Sequence, residues 1–219
     1  IIVNIYEGLL KYADDSTKVE PSLAESWKIS VDGLSYTFML KKGVKFHDGT
    51  DFNADAVKFN IDRQLPPKVT ADMGYASFVF GSVKDVVVVD PSTVTINLTQ
   101  KNTAFLANLA MSLAAPIVSP KALADGKNSV MEAPVGTGPY TFVKWSKGEN
   151  IVLVRNDAYW GEKAKTKNVI FRFISDNSAR VLALNNGDAL ADGTAMGLLV
   201  VAAEGASLTA KEIGMAHVR

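Results

Sequence analysis

The sequence predicts a mixed α/β fold, in which strands pair in succession through the middle of the chain and alternate with helices toward its end. Residues 35–41 alternate apolar and polar side chains, which is the period of a strand. Residues 83–90 and 93–99 are rich in β-branched side chains and are joined by Asp90-Pro91-Ser92, a pattern typical of a hairpin. From Val169 onward, strand and helix patterns alternate, which favours an α/β layer.

The helix signals are local and differ in strength. Residues 1–10 carry apolar side chains at helical spacing, and the turn residues 14–16 follow. Asn53 is placed to cap a second helix, with Ala56, Val57, Phe59, Asn60 and Ile61 spaced to bury one face. Further helices are predicted over 102–113, 119–126 and 176–185, and further strands over 140–145, 151–155 and 169–174. For the tail we expect a strand from Ala189, a helix over 196–204 and a strand over 207–213.

Composition excludes several classes of partner. The chain has 219 residues with 23 basic and 23 acidic side chains, so no net field favours nucleic acid or an anionic membrane. It contains no cysteine, which excludes disulfides and thiolate chemistry. Its longest apolar runs, residues 86–89 and 198–203, are far shorter than the roughly 18 residues of a membrane span.

Three motif segments carry a family resemblance. They are the run over 23–57, which includes LAESW, DG, YTF and KFHDGT, the PVGTGPY segment over 134–140, and the RNDAYWG segment over 155–161. Together they closely resemble the extracytoplasmic solute-binding proteins of peptide and nickel ABC transporters, family 5. The resemblance implies the first lobe of a type II periplasmic-binding-protein-like fold, with residues 1–22 and 161–219 as the main lobe and 23–160 as an inserted β-meander subdomain.

The same resemblance implies the function and its location. Relatives bind a short peptide or similar solute by lobe closure and deliver it to an ABC permease, at the periplasmic or extracellular face of the cytoplasmic membrane. Their decisive peptide contacts, an aspartate and an arginine, come from a second lobe that we expect beyond residue 219. We therefore expect a trimmed chain, without leader or second lobe, that binds solute weakly.

Candidate ligand-binding residues follow from position. In peptide-binding relatives an aromatic side chain faces the ligand between the second helix and the following hairpin, and Tyr75, with Met73 beside it, is the nearest match here. Tyr6 and Asn4, expected near the hinge face, are further candidates. Each of these four residues could instead have a plain packing role.

Metal and catalytic patterns are weak. His47-Asp48 is the best candidate for a pair of metal ligands, but His217 is the only other histidine, and the pattern favours a solvated turn in which His47 flanks Asp48-Gly49. Nickel-binding relatives use an arginine before GTGPY, and residues 113–118 contain none. Gly136-Thr137-Gly138 is followed by a strand pattern, which favours a structural loop over a phosphate site. With no GxSxG, HExxH or cysteine, we predict no metal, no cofactor and no enzyme activity.

A second class of function stays open. Residues 189–203 are richer in alanine and apolar side chains than the polar helix expected of relatives. The chain could therefore be a scaffold, natural or engineered, that self-associates through an exposed face of the lobe.

Overall fold

The described part of the chain forms a four-stranded sheet, a five-stranded sheet and a separate two-stranded hairpin, together with short helices. The computed structural model describes residues 1–70, 73–111, 113–124, 132–186, 191–193 and 198–203, the last two ranges by backbone alone. The helices are α1 (Ile2–Ile5), α2 (Ala54–Asp62), α3 (Ala76–Phe80), α4 (Phe105–Leu109), α5 (Pro120–Ala124) and α6 (Asn177–Asn185). The strands are β1 (Leu10–Tyr12), β2 (Val19–Pro21), β3 (Ala24–Ile29), β4 (Ser35–Leu40), β5 (Val83–Asp90), β6 (Thr93–Leu98), β7 (Tyr140–Ser146), β8 (Asn150–Arg155), β9 (Asn168–Phe173), β10 (Ala191–Gly193) and β11 (Leu198–Ala203).

The first sheet has the order β3-β4-β6-β5 and is antiparallel throughout. Phe38 pairs with Val94 and Tyr36 with Ile96, so that apolar side chains of neighbouring strands share the buried face. The turn between β5 and β6 is closed by the Asp90 carboxylate, which accepts a 2.7 Å hydrogen bond from the backbone of Ser92. The predicted strand at 35–41 and the predicted hairpin are both confirmed.

Helix α2 covers this sheet. Its predicted cap is confirmed, because Asn53 Oδ1 accepts a hydrogen bond from the Ala56 N–H at 2.9 Å. Val57 and Ile61 are buried as predicted, whereas Phe59 is 38% exposed and lies off the buried face. The Asn60 amide is buried and hydrogen-bonds with the backbone of Val118, which ties α2 to the start of α5.

The second sheet has the order β10-β11-β9-β8-β7, and every neighbouring pair is antiparallel. The helix predicted over 196–204 is wrong, because β11 occupies 198–203 and pairs along β9, with Val200 opposite Phe171. Pairing with an available sheet edge overrides a local helical pattern in a run rich in β-branched residues. The strand predicted over 207–213 lies outside the described residues.

The N-terminal segment is only briefly helical. The predicted helix over 1–10 is confirmed for Ile2–Ile5 alone, and Leu10 begins a hairpin in which it pairs with Pro21. Leu9 and Leu10 are fully buried in the core of the first sheet, so tertiary packing decides their conformation. The predicted turn lies between β1 and β2, where Asp15 has a φ of 53°.

Each sheet contributes its own buried cluster. The larger cluster lies between the first sheet, α2 and the apolar residues near α4, and the smaller one joins Ile5 and Tyr6 to Val118 and the second sheet. Strands β7 and β8, which the predicted insert includes, share a sheet with β9, while the division of the chain at residue 160 stays a prediction. Within the described residues, no helix has the length and apolar character to cross a membrane.

Candidate functional site

Tyr75 and Met73 lie in the segment that leads into α3. Tyr75 is the residue before the helix and is 49% exposed, and Met73 is half-buried. Phe78, one turn along α3, is 59% exposed, while its carbonyl oxygen accepts a 3.4 Å hydrogen bond from Asn108 on α4. The structure therefore holds two aromatic rings at the surface on a short helix packed against α4.

Tyr6 and Asn4 occupy a different environment. Both are buried, with 3% and 6% exposure; Asn4 lies in α1, and Tyr6 is the residue that follows this helix. Burial raises the pKa of Tyr6, so that its phenol stays neutral. Their burial favours a packing role, and their assignment to a ligand site stays a prediction.

The loop 136–138 runs in direct contact with this N-terminal segment. A Cβ at Gly136 would lie 2.1 Å from the Ile5 carbonyl oxygen, and a Cβ at Gly138 would lie 2.8 Å from the Asn4 carbonyl oxygen. The Gly138 N–H donates to the Ile5 carbonyl at 2.9 Å. Both glycines are therefore required for a close backbone approach, in agreement with the predicted structural role of the loop.

A single carboxylate connects this loop to the third motif. Glu7 Oε2 accepts hydrogen bonds from the Thr137 hydroxyl and the Trp160 indole N–H, each at 2.8 Å. Glu7 Oε1 accepts one from the Tyr159 hydroxyl at 2.7 Å. Lys41, at the end of β4, lies 5.0 Å from the centre of the Trp160 ring. We call Glu7, Thr137, Tyr159 and Trp160 the Glu7 junction.

Burial and hydrogen bonding act on Glu7 in opposite directions. Burial raises the pKa of this carboxyl group, and the three hydrogen bonds and the charge of Lys11 oppose the rise. A carboxylate can accept from all three donors at once, so the ionised form satisfies the junction. Sequence reasoning missed Glu7, although a charged residue between the apolar pairs Ile5-Tyr6 and Leu9-Leu10 is a signal for a buried partner.

His47 and Asp48 are both engaged with the protein. His47 Nε2 lies 2.9 Å from the Gly138 carbonyl oxygen, and Nδ1 accepts the Gly136 N–H at 3.4 Å. Asp48 Oδ2 accepts from the Ser119 hydroxyl at 2.5 Å, and its other oxygen accepts from the backbone and hydroxyl of Thr50. His47 therefore holds the loop 136–138, whereas Asp48 binds Thr50 and Ser119. His217 lies outside the described residues. In the part of the chain that is described, no three metal-binding side chains come together.

The candidate residues are of two kinds, those of the Glu7 junction and the exposed side chains at the start of α3. The polar groups are hydrogen-bonded to one another in a structural junction, and the exposed groups are aromatic and apolar. The chain belongs to the bacterial extracellular solute-binding proteins, family 5 (Middle), whose family profile matches residues 18–206.

Relatives and solved structures agree with this assignment. The chain is 36% identical over 201 residues to the heme-binding protein A of Haemophilus influenzae and 37% identical over 188 residues to the glutathione-binding protein GsiB of Salmonella choleraesuis. These matches cover 84% and 85% of this chain but only 37% and 36% of the relatives, so the chain spans little more than a third of their length.

Among solved structures, the chain is similar to the periplasmic binding protein DppA of Helicobacter pylori in complex with the peptide STSA, with a TM-score of 0.72 and 36% identity. That match covers 84% of this chain and 40% of DppA. It is also similar to NikZ of Campylobacter jejuni in complex with Ni(L-His), with a TM-score of 0.74 and 34% identity over 85% of this chain and 36% of NikZ. The predicted family and fold class are confirmed.

Proposed function

We propose that this chain supplies the first-lobe side of an extracytoplasmic solute-binding protein that serves an ABC importer. Membership of the solute-binding family over residues 18–206 is the observation that carries this proposal. The bound solute is a short peptide or a similar small molecule, which the protein delivers to a permease outside the cytoplasmic membrane. Closure over the solute converts binding into a population shift that a permease can detect.

The solute contacts the surface around Tyr75 and Met73. Tyr75 is 49% exposed although it is aromatic, and the exposed Phe78 follows it by three residues. Rigid aromatic side chains give large contact area at small entropic cost, which suits a ligand-facing position. The proposal assigns no catalytic role, since His47 and Glu7 are engaged in hydrogen bonds with the protein.

Calorimetry with a library of di- to pentapeptides tests this function. One side of a cleft contributes only part of the binding energy, so we expect a Kd weaker than about 1 µM for the 219-residue chain. Tyr75→Ala should weaken binding by about tenfold through loss of an aromatic contact. The matched control is Trp145→Ala, which removes a 37% exposed aromatic ring from the second sheet and should leave peptide binding unchanged. Equal losses in the two variants would contradict a ligand-facing Tyr75.

A second candidate function is self-association, and α6 carries the observation that favours it. Val181 and Leu182 are neighbours on this helix and are 52% and 60% exposed. They line a groove of about 380 Å³ together with Asn177, Ser178 and Asn185. Sedimentation velocity distinguishes the candidates: self-association through α6 requires a concentration-dependent dimer that Leu182→Glu abolishes, whereas a monomer at millimolar concentration refutes it.

A further inference from the structure

Arg63 is a half-buried cation with few partners. It is the C-terminal cap residue of α2, and its Nε–H donates to Asn60 Oδ1 at a long 3.5 Å. Over the described ranges, the two terminal nitrogens of its guanidinium meet no hydrogen-bond acceptor, and no carboxylate lies within 4.0 Å of them. The adjacent acid, Asp62, pairs instead with Lys58 at 2.9 Å.

Two other arginines of low exposure, Arg155 and Arg180, find hydrogen-bond acceptors within the protein. Arg155 pairs with Asp157 at 2.8 Å and donates to the carbonyl oxygen of Ala164. Arg180 donates to the carbonyl oxygens of Ile174 and Ser175, at 2.7 and 3.1 Å. Acceptors in the protein therefore engage the terminal nitrogens of Arg155 and Arg180, and the corresponding nitrogens of Arg63 are left available.

None of the carboxylates that the structure describes forms an ion pair with Arg63. Burial is the main influence on its pKa and lowers it, and the group still stays protonated at neutral pH because an arginine pKa starts above 12. The phenol of Tyr6 acts in the opposite direction on the pKa of Arg63, but burial raises the pKa of Tyr6 itself, so this phenol is neutral and contributes no anion. Holding a partly desolvated cation without an anion costs free energy, which an incoming carboxylate would recover.

We propose that Arg63 is an anion-binding residue that takes a carboxylate of the solute. A guanidinium presents two parallel N–H groups that match a carboxylate, and such charge-assisted pairs are the strong class of hydrogen bonds. Arg63 lies ten residues before Met73 and twelve before Tyr75 in the sequence, so the ionic contact and the aromatic surface belong to one stretch of the chain. The inference rests on the proposed solute-binding function and adds a charged contact to it.

Nuclear magnetic resonance of the arginine Nε–H groups tests this contact, because it detects weak binding at a named side chain. The probes are tri-alanine, which ends in a carboxylate, tri-alanine amide, which has none, and Ala-Glu-Ala amide, whose only carboxylate is on the side chain. We expect the two carboxylate-bearing probes to shift the Arg63 Nε–H signal and the plain amide to leave it in place. Arg63→Gln should weaken binding of tri-alanine by about tenfold or more.

Two further variants separate this contact from general effects. Arg63→Lys keeps the charge but loses the paired N–H groups, so an intermediate affinity is expected. Arg172→Gln removes an exposed arginine on β9 and should change nothing, which makes it the matched control. Thermal unfolding of each variant shows whether it is folded before its affinity is compared.

The outcomes separate this inference from the function on which it rests. If tri-alanine amide binds as tightly as tri-alanine and shifts only the signals of residues 73–78, the solute-binding function stands and the carboxylate contact is overturned. The same conclusion follows if Arg63→Gln binds tri-alanine like the wild type. If no probe shifts any signal at the highest soluble concentration, both the contact and the proposed function fail.

Discussion

Removing the Glu7 carboxylate is the perturbation that most directly probes the architecture. Glu7→Ala leaves the Thr137 hydroxyl, the Tyr159 hydroxyl and the Trp160 N–H without their acceptor. Each lost bond to a carboxylate in a partly buried site costs about 1 to 1.5 kcal/mol, so the three together cost about 3 to 4.5 kcal/mol. Since domains are stabilised by only about 5 to 15 kcal/mol, this variant should be close to unfolding.

Glu7→Gln separates hydrogen bonding from charge. The Gln carbonyl oxygen can accept from Thr137 and Trp160, and its amide can donate to the Tyr159 hydroxyl oxygen. We therefore expect a loss below about 1.5 kcal/mol. Because burial raises the pKa of Glu7, its stabilising contribution is present at acidic pH and is lost as pH rises through the raised value. The free energy of unfolding of Glu7→Gln should consequently be more favourable, relative to that of the wild type, at alkaline than at acidic pH.

The assay is urea unfolding followed by circular dichroism, with the free energy of unfolding extrapolated to water. Trp160→Phe and Tyr159→Phe each remove one donor and should each cost about 1 to 1.5 kcal/mol. The reasoning is refuted if Glu7→Ala costs less than about 1 kcal/mol, or if Glu7→Gln costs as much as Glu7→Ala.

Three further predictions concern the loop 136–138, the His47 side chain that contacts it, and the N-terminal cap of α2. Gly136→Ala should lower the free energy of unfolding by more than about 3 kcal/mol, because the new Cβ would lie 2.1 Å from the Ile5 carbonyl oxygen. The control Gly74→Ala has open space around its Cβ and should change this free energy by less than about 0.5 kcal/mol; equal effects of the two substitutions in denaturant titrations would be inconsistent with the contact. Burial lowers the pKa of His47 below its ordinary 6.5, so stability should fall as the pH drops below 6.5, because the unfolded chain then takes up a proton that the folded chain does not, and should level off below the lowered pKa. Melting curves of His47→Gln, recorded against pH, should lack this dependence. Asn53→Ala should cost about 1 kcal/mol while Asn53→Asp stays near wild type, since the side-chain oxygen caps α2; identical melting temperatures for the two would rule out the cap.

The elements that could be predicted from sequence are those whose signals are local. Strand β4 follows from strict alternation of its side chains, and the cap of α2 follows from Asn53 and the apolar spacing after it. Strand β11 could not be predicted, because its conformation depends on pairing with β9, roughly thirty residues earlier in sequence. The predicted length of the first helix is too great for a similar reason, because Leu10 is buried and pairs in a hairpin.

The candidate site also combines residues that the sequence indicates with residues that only the structure reveals. Met73 and Tyr75 are candidates because an aromatic at this place faces the ligand in peptide-binding relatives, and their role stays a prediction. The structural role of GTGPY is indicated by the strand pattern after it. The Glu7 junction depends on side chains at positions 137, 159 and 160, and no local pattern around residue 7 specifies those partners. Arg63 is recognised only from contacts that it does not make within the described residues.

The central claim is that this chain presents one face of a solute-binding cleft at the segment leading into α3. The most direct test follows backbone amide signals of the 219-residue chain during titration with the peptide Ser-Thr-Ser-Ala. We predict saturable shifts confined mainly to residues 73–78 and reduced by Tyr75→Ala. Saturable shifts confined to the second sheet, or none at any soluble concentration, would contradict the claim.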